Sequence, residues 1–264
     1  MELAPEQING ASSEDFAGRI VIVTGGAQGI GFAIAEAFVQ RNARIALLDL
    51  NPESACAAVD RLGGPQCAMS VETNIGDPES VSRAVEAVFQ KWGRIDVLVN
   101  NAGVQFNCAS LELRPEDLQQ VLNTNLLGAF YASQAVARTA MVAQEGGVII
   151  NISSVASFMS FPRRMPYGIS KAGLNALTRI LATEWAGYKI RINAIAPGYV
   201  RTQLVEDAAR WGHIDLPAVI GKTPAERLGH PSEIAELAVF LASHRAAFLT
   251  GQVVTIDGGF SLTK

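Results

Sequence analysis

Residues 19–38, RIVIVTGGAQGIGFAIAEAF, pass from an unbroken β-branched run through a glycine-rich turn into a helical segment. Glycines at 25, 26, 29 and 31 let the backbone approach a pyrophosphate closely. The helix that follows offers free N–H groups and the positive end of its dipole. The spacing Gly25-x-x-x-Gly29-x-Gly31 departs from the GxGxxG fingerprint. What argues for a dinucleotide site is therefore the position of the turn between a strand and a helix. Gln28 and Ile30 lie inside that turn.

Outward from this unit the same rhythm repeats. Strand-like runs recur at 43–50, 67–73, 96–103, 147–154, 191–198 and 252–259, mostly continuous rather than alternating, as expected of strands buried on both faces. Amphipathic segments lie between them, and five of the six open with proline, which suits the first turn of a helix. Repeated β-α units predict an α/β fold, a Rossmann-type doubly wound sheet of about seven parallel strands with helices on both faces. No repeat, low-complexity tract or linker divides the chain, so residues 1–264 read as a single dinucleotide-binding and catalytic domain. The rhythm breaks at residues 199–230, which mix short helical pieces with Gly and Pro. Excursions of that length in a compact domain commonly form lids or substrate loops, and this one reads as a substrate-binding insertion.

Composition excludes several classes of function. A formal net charge of −4 and the lack of any basic run argue against nucleic acid as a partner. Apolar runs are short and interrupted, so no membrane-spanning segment is expected. The N-terminal residues lack the basic and apolar regions of a secretory signal, and 1–15 read as a mobile tail. Cys56, Cys67 and Cys108 show no metal or disulfide spacing and read as reduced thiols of a cytoplasmic protein. His213, His230 and His244 sit in separate neighbourhoods, and no metal is expected.

Two further features carry chemistry. Asp49 stands at the end of the second strand, twenty residues beyond Gly29, where a carboxylate accepts hydrogen bonds from ribose hydroxyls and repels a 2′-phosphate. With Gln28 and Leu50 beside it and no compensating base, the expected cofactor is NAD. In FPRRMPYGISKAG, residues 161–173, Tyr167 and Lys171 are four positions apart, on one face of a helix. Oxidation of an alcohol needs a base near working pH, and a phenol that titrates near 10 must be lowered by about two to three units to serve. A neighbouring ammonium and a cationic nicotinamide push in that direction.

TGGAQGIG, NNAG (100–103), NISS (151–154), YGISK (167–171) and APG (196–198), in this order and spacing, resemble the short-chain dehydrogenase/reductase family from about Phe16 onward. The resemblance implies a catalytic tetrad of Asn125, Ser154, Tyr167 and Lys171. Ser154 would hold the substrate oxygen against the phenol, Lys171 would grip the nicotinamide ribose, and Asn125 would hold a water linking Lys171 to solvent. Ser153 lies one residue off the expected spacing and should face the other way. The resemblance also places Asn101, Ala102 and Gly103 beside adenine and ribose, and Thr202 at the nicotinamide carboxamide. Pro197, Gly198, Val200 and Ile75 join the expected cofactor contacts. Asn74 stands where the family usually carries Asp, and its amide oxygen can still accept from the adenine amino group. The family usually assembles as homotetramers.

Arg163 and Arg164 lie where the family builds part of its substrate pocket. They either read an anionic group as a bidentate fork, for which Arg164, three residues before Tyr167, is the better placed, or remain solvated or paired across an interface. Gln105, Trp211 and His213 are further pocket candidates, suited to a polyol or sugar. The sequence thus reads as an NAD-dependent oxidoreductase of a small polar secondary alcohol or ketone, with Tyr167 as general acid/base. Its rivals are an NADPH-dependent 3-oxoacyl or ketone reductase, which Asp49 opposes, and a non-catalytic nucleotide-binding regulator, which need not retain a tetrad.

Overall fold

The computed structural model describes residues 16–212 and 214–263, so the tail expected at 1–15 and the candidate His213 lie outside the described residues. Seven strands, β1 (Ile20–Thr24), β2 (Arg44–Asp49), β3 (Ala68–Glu72), β4 (Val97–Asn100), β5 (Gly147–Ile152), β6 (Ile190–Pro197) and β7 (Val253–Ile256), form one sheet in the order β3-β2-β1-β4-β5-β6-β7. Every pairing is parallel. The doubly wound sheet expected from the β-α rhythm is therefore the sheet that forms. Its order reverses between β1 and β4, which opens a crevice at their carboxyl ends.

The unbroken apolar runs follow from burial on both faces. In β1, Val21 and Val23 pack with Phe32, Ile34 and Phe38 of α1 (Gly29–Val39) and with Ile234 and Val239 of α9 (Pro231–Ala242). Ile20 and Ile22 point the other way, onto Val81, Val85 and Val88 of α3 (Pro78–Trp92) and Val136 of α5 (Gly128–Val136). Each fully buried side chain of this size contributes roughly 1.5–3 kcal/mol, and a one-residue slip would exchange the two sets. The helices start where the prolines announced them. Pro52 opens α2 (Pro52–Arg61), with Asn51 accepting from the Ser54 amide, and Asp77 caps α3 by accepting from Glu79.

One long helical segment differs from its simple reading. Residues 115–141 run as α4 (Pro115–Leu122), a π-helical turn Asn123–Leu127, α5 and a second π-helical turn Ala137–Met141. The first π turn carries Asn125, whose side chain bridges to the loop after β4 and to α6 (Met165–Glu184), and a wider turn accommodates that reach.

Candidate active site

The carboxyl ends of the strands surround a cavity of about 1070 Å³, larger than the roughly 300–1,000 Å³ of a typical small-molecule site. One end is built on the glycine turn. Gly25 has φ +61°, and a Cβ there would lie 2.9 Å from the Ala102 Cα, so only glycine fits. The Asn101 amide nitrogen braces this turn by donating to the Thr24 and Gly25 carbonyls at 3.1 and 2.8 Å. Gly31 is off the cavity wall: a Cβ there would overlap the Gly25 carbonyl and the Asn101 amide, so this glycine serves close helix-turn packing.

Asp49 closes this end of the cavity. Its Oδ2 accepts from the Ala27 amide and its Oδ1 from the Asn51 amide, both at 3.1 Å, which fixes the carboxylate beside the glycine turn. Gln28, Gly29, Ile30, Asn74, Ile75, Ala102, Gly103, Pro197, Gly198, Val200 and Thr202 line the same cavity. Asn74 Oδ1 accepts from the Gly76 amide at 3.1 Å and keeps a second lone pair. Among the described lining residues the basic ones are Arg164 and Lys171, both at the opposite end from Asp49. The glycine cradle, the fixed carboxylate and the size of the cavity fit a dinucleotide.

At that opposite end, α6 presents Tyr167 and Lys171 on one face, with the Lys171 Nζ 5.6 Å from the centre of the phenol ring. Lys171 is 4% exposed and donates to the Ile152 carbonyl at 2.7 Å. Burial without a carboxylate pushes its pKa down to about 8. Ser154 follows β5 and caps the short turn Val155–Ser157, its hydroxyl facing the Tyr167 phenol. Burial pushes the phenol pKa up, and Ser154 and the Arg164 guanidinium pull against that rise without cancelling it. This differs from the expectation that Lys171 lowers the phenol. In the protein alone desolvation wins, and the nearby cation that acts on Tyr167 is Arg164.

Asn125 is 1% exposed and stands behind the cavity wall. Its Oδ1 accepts from the Val104 amide at 2.8 Å, and its Nδ2 donates to the Val104 carbonyl at 2.9 Å and the Ser170 hydroxyl at 3.0 Å. The side chain thus ties the loop after β4 to α6, with both amide protons spent. Sequence reasoning missed the lattice behind Ser154. Asn175, one turn beyond Lys171, accepts from the Ser153 hydroxyl at 2.6 Å and donates to Ser157 Oγ at 2.8 Å. Ser157 in turn donates to the Ser154 carbonyl at 2.6 Å. Both flanks of Ser154 are thereby fixed to the helix that carries Tyr167. The four-residue spacing of 167, 171 and 175 was the signal that could have found it.

Residues 199–230 fold as α7 (Gln203–Arg210) and α8 (Leu216–Lys222), pinned at both ends where Arg201 N donates to Gly229 O and Gly229 N to Tyr199 O. This segment's Tyr199, Val205, Ala208, Trp211 and Ile214 line the same cavity as Tyr167 and Lys171. Trp211 is 68% exposed, at the rim. Gln105 lines the cavity as an exposed side chain held to Asn107 at 2.8 Å. The two adjacent arginines part company: Arg164 lines the cavity, whereas Arg163 is exposed, with φ +65°, and stands off the wall. Among the described residues, no helix is long and apolar enough to cross a membrane.

A family model described as enoyl-(acyl carrier protein) reductase matches residues 25–261. The D-threitol dehydrogenase of Mycolicibacterium smegmatis is 40% identical over 93% of this chain and 94% of its own length. The 3-oxoacyl-(acyl-carrier-protein) reductase FabG of Thermotoga maritima is 37% identical over 92% of this chain and 97% of its own. Among solved structures, a short-chain type dehydrogenase/reductase from Mycobacterium marinum superposes with a TM-score of 0.88 at 32% identity, covering 94% of this chain and 97% of that one.

Proposed function

The chain belongs to the short-chain dehydrogenase/reductase family of NAD(P)-dependent oxidoreductases, and from that premise we propose that it is an NAD-dependent dehydrogenase of a small polar secondary alcohol, a polyol, sugar or hydroxy acid. The observation that carries this reading is that Tyr167, Ser154 and Lys171 share one cavity with the glycine turn and Asp49. Such convergence supports an enzyme over a non-catalytic nucleotide-binding regulator. A small polyol also figures in the name of the relative from M. smegmatis.

In this reading the turn at Gly25–Gly31 receives the pyrophosphate, Asp49 the adenosine ribose, Lys171 the nicotinamide ribose and Thr202 the carboxamide. Asn74, Ile75 and the segment Asn101–Gly103 flank adenine and ribose. When bound, a nicotinamide supplies the hydride acceptor or donor. Ser154 donates to the substrate oxygen and holds it against the phenol. Tyr167, as phenolate, takes the carbinol proton, and as phenol returns it in the reverse direction. Ser154 and Arg164 act for the phenolate against the burial that opposes it, and the backbone around Asn125 carries the proton path onward. NAD is preferred over NADP because a phosphate dianion beside the Asp49 carboxylate meets repulsion of about 4 kcal/mol per charge pair at ~4 Å and an effective dielectric of ~20. Free thiols at Cys56, Cys67 and Cys108 suit a reducing, cytoplasmic compartment. Half-exposed Ile169 and Ile180, three turns apart on α6, and the open edge of β7 suit assembly into a homotetramer.

The test is initial-rate reduction of NAD and of NADP by the purified protein with polyols, sugars and hydroxy acids, for wild type and Asp49→Ala. NAD should be preferred by wild type, and the preference should fall at least about tenfold in the variant. Activity confined to NADPH and an oxoacyl thioester would instead assign the reductase chemistry named for the T. maritima relative.

A further inference from the structure

Arg164 is the residue at this site whose surroundings are least complete. It stands at the N-cap of α6, three residues before Tyr167, and lines the main cavity. On its other side it borders a second space of about 270 Å³, walled by Phe161, Tyr199, Val219 and Phe260. The guanidinium carbon lies 5.6 Å from the centre of the Phe161 ring and 5.9 Å from that of Tyr199. Those two rings are themselves held against Phe260, at 6.4 and 5.3 Å between centroids. The cation is thus flanked by aromatic faces, which stabilise it and limit its directions of approach.

What the guanidinium lacks is an anion. None of the ion pairs among the described residues involves Arg164. Its hydrogen bond to a neighbour is a long one, 3.5 Å from Nη1 to the Tyr199 hydroxyl. Asp215, which also borders the second space, makes no ion pair with it and accepts from the Ala218 amide at the start of α8. A guanidinium carries five donors in a planar fork that matches a carboxylate. Half-buried and lacking a counter-ion, it is costly to the free protein, and an anion that completes it recovers that cost. Arg163 beside it shows the contrast: it is exposed, and its backbone carbonyl rather than its side chain makes the local contact, accepting from the Cys108 amide at 2.9 Å.

We propose that Arg164 is a substrate-anion site, and that the substrate is a secondary alcohol bearing a carboxylate a few bonds from its carbinol carbon. The inference rests on the dehydrogenase reading above and narrows it from small polar alcohols to hydroxy acids. The carboxylate docks on the fork of Arg164, with the Tyr199 hydroxyl as a further donor, and this places the carbinol between Ser154 and Tyr167. Neutral polyols fit the same cavity but leave the guanidinium uncompensated.

The test compares each hydroxy acid with its primary amide, which keeps the shape and removes the charge: lactate with lactamide, and β-hydroxybutyrate with β-hydroxybutyramide. For each pair the ratio of kcat/KM values is measured in wild type, Arg164→Gln and Arg163→Gln. The ratio cancels any general effect of Arg164 on the phenol, because both members use the same proton acceptor. The acid should be preferred by wild type. That preference should fall by about 100-fold in Arg164→Gln and persist in Arg163→Gln. Equal turnover of acid and amide by wild type, or an unchanged ratio in Arg164→Gln, would overturn the proposal while the turnover itself upholds the dehydrogenase reading. Calorimetric binding of butyrate and butyramide, with and without NAD, gives an answer independent of turnover. Preferential butyrate binding that is lost in Arg164→Gln supports the anion site even if all four alcohols are inert; it is inertness towards every polyol, sugar and hydroxy acid that would sink the reading of function. Butyrate and butyramide binding alike would count against the site.

Discussion

The two ends of the same parallel sheet treat buried charge in opposite ways. At the amino ends of β1 and β4, Asp96 is 7% exposed yet fully partnered: it accepts from Arg19 Nη1 at 2.7 Å, Arg94 Nε at 2.9 Å and the Ile20 amide at 2.9 Å. Burial by itself would raise its pKa, but the two arginines and the amide hold it below the ordinary carboxylate value. At the carboxyl ends, Lys171 is equally buried and has only a carbonyl for company, Arg164 has no carboxylate, and burial raises the Tyr167 phenol. One end is closed electrostatically by the fold. The other is left unbalanced, and under the proposed function that is the end where a ligand binds and the proton moves.

Substitutions of the charged groups can break that contrast, and among them the largest expected effect is at Lys171. Lys171→Met should lower kcat/KM by about 10³-fold, within the range for proton-transfer machinery. It should also change stability with a definite sign. The folded pKa of about 8 lies below the unfolded value near 10.4, so between these the unfolded chain binds more protons and stability rises with pH. Denaturation of the protein without cofactor from pH 8 to 10 should show that rise in wild type, relative to a flatter profile in the variant. Next, Asp96→Asn should cost about 2 kcal/mol in denaturant unfolding, by replacing charge-assisted hydrogen bonds from two half-exposed arginines with those of a neutral amide, with unchanged KM values. Because the Asp96 pKa is depressed, its stabilisation is present above the unfolded carboxylate pKa near 3.9 and is lost as pH falls through the folded value. The variant's stability should therefore depend less on pH on the acid side.

Smaller effects sharpen the comparison. Asn175→Leu removes the bridge between Ser153 and Ser157 and should lower kcat about tenfold with little change in NAD affinity, whereas Asn175→Gln should recover part of the loss. A matched fall in kcat and cofactor affinity would show that Asn175 supports the fold generally rather than Ser154. Smallest of all, Glu236→Gln breaks an exposed pair with Arg41 at 2.8 Å and should shift stability by less than about 1 kcal/mol in thermal unfolding.

The sheet was legible because its signals are local. Continuous β-branched runs, prolines at helix starts and the glycine turn each specify their own few residues, and the strands fall within a residue or two of the runs that announced them, apart from the ends of the 96–103 and 252–259 runs. Tyr167 and Lys171 were legible for the same reason, since four-residue spacing fixes a helix face. What escaped depends on contacts across the fold. The π turn at Asn125 answers to Val104 and Ser170, far away in sequence. Spacing three residues before Tyr167 favours Arg164 over Arg163, but the left-handed backbone that accompanies the exposed Arg163 has no such local signal. The sign of the Tyr167 shift escapes the sequence because spacing places the ammonium but says nothing of desolvation, which depends on packing across the fold.

The central claim, that Tyr167 is the group that exchanges the substrate proton, is tested most directly by Tyr167→Phe, which removes one hydroxyl and keeps the ring. The measurement is NAD reduction with the best secondary alcohol found for wild type, paired with the NAD dissociation constant of each protein. The account predicts a fall in kcat of about 10³-fold or more with NAD affinity within about threefold of wild type. A Tyr167→Phe protein that turns over at the wild-type rate would contradict it.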